Sequence, residues 1–231
     1  MELPFKEKDL SAFFHSGMAC IGEGKRRKCF RVPDFPYCVK FYRLPREYPP
    51  RMRLSIRLEI ALFRFCPHFN TSCQEWRYYR KLRERLPKQL FSVFPDTVER
   101  VRLPDRGFGL CESFITNADG SPMHSVLEEM ERSDDPLLKE RLYRAISGLF
   151  DQLVLHAVRF YDPPNIMVQW LSGQEGEERR FNLRIVDFEP CERTLLSFLI
   201  HTPGMVRAKV RRRCDRYLAK LRFRFSVKGS L

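Results

Sequence analysis

Apolar residues recur along this chain in two rhythms. From 17 to 43, GMACIGEGKRRKCFRVPDFPYCVKFYR, short apolar runs are punctuated by Gly and Pro. That pattern predicts strand, glycine turn, strand, turn, strand. Further short strands are predicted over 90–94, 97–103 and 107–114. Two more runs, 166–171 and 181–188, flank a polar, Gly-containing loop and predict a hairpin.

The second rhythm is helical. A short helix is predicted over 54–65. Ser72 and Glu75 have capping-box spacing and lead into the stripe Trp76, Tyr79, Leu82 and Leu86, which Pro87 closes. A turn at 117–122 precedes a short helix over 125–130. Asp135-Pro136 then opens the longest periodic segment, with Leu138, Leu142, Ile146, Leu149, Leu153 and His156 near helical spacing. His156 reads as a core or edge histidine. Residues 191–200 read as an apolar helix. After Pro203-Gly204, a basic amphipathic helix carries Val206, Val210, Cys214, Tyr217, Leu218, Leu221 and Phe225.

Composition narrows the class. With 231 residues, 43% of them hydrophobic and 31% charged, the chain can bury a substantial core and has the balance of a globular protein. No apolar run approaches the roughly 20 residues needed to span a bilayer. The N-terminal MELPFKEKDL has no signal-peptide character. The eight cysteines form no C-x-x-C pair, which fits reduced thiols in a cytoplasmic protein and argues against zinc. The net charge of +13 is concentrated in 25–64 and in the tail from Arg207 to Arg224. It attracts polyanions without choosing among them. The tail is either a packed helix with a solvated basic face, or a dock for an acidic partner or an anionic membrane surface such as the inner membrane. No zinc-finger or RNP signature points to specific nucleic-acid binding.

The candidate chemistry lies in two places. Asn165 stands at the entrance of the predicted hairpin and Asp187 near its exit, so antiparallel pairing would bring two hard oxygen donors together, a set that suits Mg²⁺. Asp187 equally fits a residue that ends a strand. Upstream, Gly22 and Gly24 allow close backbone approach to a phosphate. Lys40 sits inside an apolar strand and needs an anion, solvent or neutralisation. Glu75 either caps its helix or reaches Lys40.

Taken in order, the G-x-G loop, strand lysine, helix glutamate, linking turn, long helix, P-P-N-I loop, hairpin and D-F-E resemble the protein-kinase-like fold. More narrowly, GEGKRRKCF, CVKFY, EWRYYRKL, ESFITNADGSP and PPNIMV resemble the bacterial PhoP regulatory network protein YrbL family over most of the chain. The resemblance implies an α+β, two-lobed fold: a β-rich N-lobe over 1–114 with a basic insertion, and a reduced, helical C-lobe over 115–231. It implies ATP and Mg²⁺ as cofactors, with Gly22 and Gly24 covering the nucleotide and Lys40 on its α/β-phosphates. Glu75 would orient Lys40, and Asn165 and Asp187 would hold the metal. The family name points to Mg²⁺- or envelope-responsive regulation.

The chain departs from the wider kinase pattern at several positions. Phe160 stands five residues before Asn165, where an aspartate accepts the substrate proton, and Asp162 is the only carboxylate nearby. Arg27 replaces the third loop glycine, Glu189 replaces the glycine of D-F-G, and no A-P-E follows. Two functional classes stay open. One is a phosphotransferase acting on a small or envelope-related hydroxyl substrate, with Asp162 as its base. The other is a pseudokinase working as a regulatory interaction module.

Overall fold

A computed structural model describes residues 3–15, 17–172, 180–187 and 202–225. The chain is α+β and divides into two compact units, one of Met1–Lys81 with Pro95–Phe114 and one of Leu82–Phe94 with Ile115–Leu231. The predicted end of the second hairpin strand at 188, the D-F-E residues Phe188 and Glu189, and the helix over 191–200 lie outside the described residues.

The first unit is built on a five-stranded antiparallel sheet of order β1-β2-β3-β5-β4, where β1 is Cys20–Glu23, β2 Arg27–Arg31, β3 Tyr37–Tyr42, β4 Val98–Leu103 and β5 Gly107–Ser113. These are the strands expected from the apolar runs. Side chains alternate across the pleat, so Phe30, Val39, Phe41, Val101 and Cys111 share one face. The N-terminal helix α1 (Glu7–His15) adds Leu10, and Phe5 joins the same core. Phe14 packs edge-on against Phe30 and Phe41, with ring centroids 4.8 and 5.5 Å away. Arg106 lies 4.8 Å over the Phe14 ring while its guanidinium pairs with Glu47 at 3.1 Å.

Two helices follow β3, α2 (Leu54–Phe63) and α3 (Thr71–Arg85). Asn70 joins them: its amide nitrogen donates to the carbonyls of Phe63, Arg64 and Phe108, and its Oδ1 accepts from the Cys73 amide at 3.2 Å. Asn70 therefore makes the cap expected of Ser72. Ser72 itself is buried within the first turn of α3. Residues 90–94, expected as a strand, instead form the end of the single-turn helix α4 (Lys88–Phe91) and the turns after it. Leu90 on the helix and Phe94 in the turns after it are both buried, and Phe94 N bonds back to Phe91 O at 3.0 Å.

The second unit has a three-stranded antiparallel sheet of order β6-β7-β8, with β6 His124–Ser125, β7 Ile166–Trp170 and β8 Phe181–Ile185. β7 and β8 are the expected hairpin, and Ile166 faces Ile185 at its base. Helix α5 (Val126–Arg132) opens with a capping box in which Ser125 accepts from the Glu128 amide and Glu128 accepts from Ser125 N at 2.7 Å. That contact holds the Glu128 carboxyl below its ordinary range.

Helix α6 (Pro136–Leu155) starts as expected, with Asp135 Oδ1 accepting from Leu137 N at 2.8 Å. It stops where Ala157 turns left-handed at φ 48° and the Val158 amide bonds back to Leu153 O. Helix α7 (Pro203–Phe225) buries Val206, Val210, Cys214, Tyr217 and Leu221. Tyr217 meets Phe150 of α6 edge-on at 6.2 Å, and Arg207 donates to Leu155 O at 3.2 Å, where α6 carries the negative end of its dipole. Among the described residues, no helix is long and apolar enough to cross a membrane.

Two glycines in β5 are required by neighbours. A Cβ on Gly107 (φ +75°) would meet Arg64 O at 2.2 Å, and one on Gly109 would meet the Phe41 ring at 2.4 Å. Gly120 (φ +80°) has open space around it. Gly107→Ala should therefore lower stability by at least about 3 kcal/mol in urea unfolding, while Gly120→Ala, which carries backbone strain alone, should cost about 1 kcal/mol.

Candidate functional site

In the first unit the chemistry sits on the sheet face opposite the aromatic core. Register places Cys29 beside Lys40, Arg27 beside Tyr42 and Cys38 beside Glu112, so these side chains share one face. Lys40 Nζ lies 2.7 Å from Glu112 Oε1, with side chains 11% and 5% exposed. Glu75, fully buried on α3, takes Arg27 Nη1 at 2.6 Å, and the same guanidinium reaches Ser72 Oγ at 3.4 Å. Tyr42 completes the seam, its hydroxyl 2.6 Å from Thr71 Oγ1 and accepting from Thr71 N at 3.1 Å. Lysine, glutamates and arginine thus hold their charges away from water in opposed pairs, the condition under which buried ions persist.

Glu112 and Arg27 are the members of this cluster that sequence reasoning did not assign. Glu112 was legible only as a polar residue in an apolar strand, and Arg27 only as a missing glycine. Two thiols complete the face. Cys38 Sγ lies 3.8 Å from Glu112 Oε1. Its hydrogen bond with Cys29 lowers the Cys29 thiol, with the Lys40 charge helping, while that bond and burial push Cys38 well up. Burial likewise raises Cys111 on the opposite face.

Gly22 and Gly24 fall in and just after β1. Gly22 stands opposite Cys29. Gly24 N donates to Arg27 O at 2.8 Å, closing a tight turn with Lys25 and Arg26 at its tip. Arg43 braces the turn through Gly24 O at 2.9 Å and Glu23 Oε2 at 3.1 Å, and Arg26 ties it to Glu59 of α2 at 2.9 Å. The glycines therefore shape a short, braced hairpin turn with two cationic residues at its apex.

In the second unit, the residues around the hairpin base converge. Asn165 closes a 3₁₀ turn, Pro163–Asn165, immediately before β7, and its main-chain carbonyl accepts from Val186 N, just past the end of β8, at 3.2 Å. Asn165 Nδ2 donates to Asp187 O at 3.2 Å and approaches Asp162 Oδ2 at 3.4 Å. Asp162, Asn165 and Asp187 thus form one small group. Among the described residues no set of three or more His, Cys, Asp or Glu side chains could cage a metal ion. The contact to Asp187 runs through its main-chain carbonyl, while the carboxylates of Asp162 and Asp187 and the Asn165 amide oxygen are the donor types that Mg²⁺ takes beside water and phosphate.

Phe160, five residues before Asn165, is fully buried and offers no proton acceptor. Tyr161 is clamped by α7: Arg213 donates to its carbonyl, and Lys209 lies 4.4 Å over its ring. Helix α7 thus fixes the segment that carries Asp162.

Glu112→Gln should lower stability by about 2 kcal/mol or more in urea unfolding, whereas Lys40→Met with Glu112→Leu should recover most of that loss, since a buried pair is costlier to break than to replace. Partial alkylation followed by peptide mapping should modify Cys29 ahead of Cys38 and Cys111, because a lowered thiol pKa leaves more thiolate at a given pH. Compared with known proteins, the chain matches no family model and no curated protein.

Proposed function

We propose that the protein is kinase-like and binds ATP with Mg²⁺. The observation that carries this reading is the buried, ion-paired Lys40 on a five-stranded sheet, in a chain that also gathers Asp162, Asn165 and Asp187 at a hairpin base. In this reading Glu112 holds the Lys40 ammonium in place for the α/β-phosphates. Glu75 and Arg27 brace the neighbouring strand against α3, and the turn after Gly22 and Gly24 lies over the nucleotide. Asn165 and Asp187 hold the metal. A bound Mg²⁺ would neutralise charge on the phosphates, and positioning with charge neutralisation supplies most of the catalysis in phosphoryl transfer.

As a phosphotransferase the protein would act on a small or envelope-related hydroxyl substrate, with Asp162 accepting the proton. The sequence resemblance to the YrbL family supports a role in bacterial Mg²⁺- or envelope-responsive regulation. A second reading, a pseudokinase acting as a regulatory interaction module, is favoured by one observation: Phe160 fills the proton acceptor's position and is fully buried.

ATP with Mg²⁺ should raise the thermal midpoint, and Lys40→Ala and Asp187→Ala should each abolish the shift. A wild-type protein that shows no shift and no heat in calorimetric titration would remove nucleotide binding from both readings. Phosphate transfer measured beside Asp162→Asn then separates them. A loss of about 10²-fold or more marks Asp162 as the base, and undetectable turnover in the wild type despite nucleotide binding marks a pseudokinase.

A further inference from the structure

Helix α2 is apolar on both sides. Ile60 is fully buried and Ile56 and Phe63 are half-buried on its inner side, yet Leu54, Leu58 and Leu62 are 70%, 55% and 68% exposed. These three leucines fall one turn apart, and the stripe continues through Phe65 and Phe69, both exposed. Such a helix is ordinarily wrapped in protein. Here the outward stripe is held rigidly in place, because Asn70 and the close approach of Gly107 to Arg64 O fasten the C-terminal end of α2 to β5.

The charge around the stripe has one sign. Residues 44–69 contain five arginines and two glutamates. Both glutamates are ion-paired, Glu47 with Arg106 and Glu59 with Arg26. At 100° per residue, Arg53, Arg57 and Arg64 line one flank of the leucine stripe. Arg64 lies 4.7 Å over the Phe65 ring and Arg57 5.7 Å over Tyr48, so their stems run along apolar surface.

We propose that α2 docks the protein on an anionic phospholipid surface, its leucines entering the acyl boundary and its arginines meeting the headgroup phosphates. An exposed apolar stripe with cations on its flank has the residue pattern of an interfacial helix. The two neutralised glutamates remove the local charge that an anionic surface would repel. The surface is distinct from α7, whose own apolar stripe is spent on packing within its unit.

Sedimentation of the full chain with vesicles tests this. The wild type should bind vesicles of phosphatidylcholine mixed with phosphatidylglycerol, not phosphatidylcholine alone, and binding should weaken as salt rises. Leu58→Ser with Leu62→Ser should weaken it roughly tenfold or more with an unchanged melting temperature. Arg53→Gln with Arg57→Gln should flatten the salt dependence, while Arg212→Gln with Arg216→Gln on α7 should leave the leucine effect intact. In an independent measurement, Leu58→Trp should blue-shift and be quenched by brominated lipid. Absence of binding, binding indifferent to the leucines, or leucine substitutions that change only the oligomeric state would each overturn the proposal, the last assigning the stripe to a second copy of the chain.

Discussion

The ion pair between Lys40 and Glu112 fixes the sheet of the first unit. A lysine drawn this far from water must meet an anion, and Glu112 supplies one only while β5 lies beside β3 in the observed register. Because side chains alternate, seating Lys40 on one face sends Val39 and Phe41 to the other, where Leu10, Phe5 and Phe14 close the aromatic core. A slip of one residue would drive the ammonium into phenylalanine rings and lift Phe41 among charges. One electrostatic contact therefore selects the register that builds the core as well as the charged face.

The strands of that sheet were legible because their apolar runs are short and bounded by Gly, Pro and Asp. Helix α6 was legible because Asp135-Pro136 supplies both a cap and a fixed φ. What the sequence concealed was pairing across distance. Glu75 is local to its helix, but its partner Arg27 sits on β2, and Lys40 meets a residue of β5. Neither partner follows from spacing, since each depends on which strands become neighbours. Asn70, and not Ser72, caps α3 because the same side chain must also satisfy the carbonyls at the end of α2. Helix α4 was hidden by its length, one turn of apolar residues being as compatible with a strand.

The hairpin base behaved differently. There the expectation needed only that two strands pair in antiparallel sense, and β7 and β8 place Asn165 and Asp187 together through Ile166 and Ile185. Asp162 joins them through a 3₁₀ turn that two prolines stiffen. The group offers oxygen atoms, the donor type that a hard cation takes. The burial of Phe160 shows the same segment spending one of its positions on packing.

Helix α7 holds both the end of α6 and the backbone at Tyr161, the first through Arg207 and the second through Arg213. Strands and loops open in cooperative blocks defined by such contacts. The turn bearing Asp162 is therefore stiffened from two sides, by its own prolines and by the seating of α7, so a helix some fifty residues downstream shares in setting the firmness of that loop.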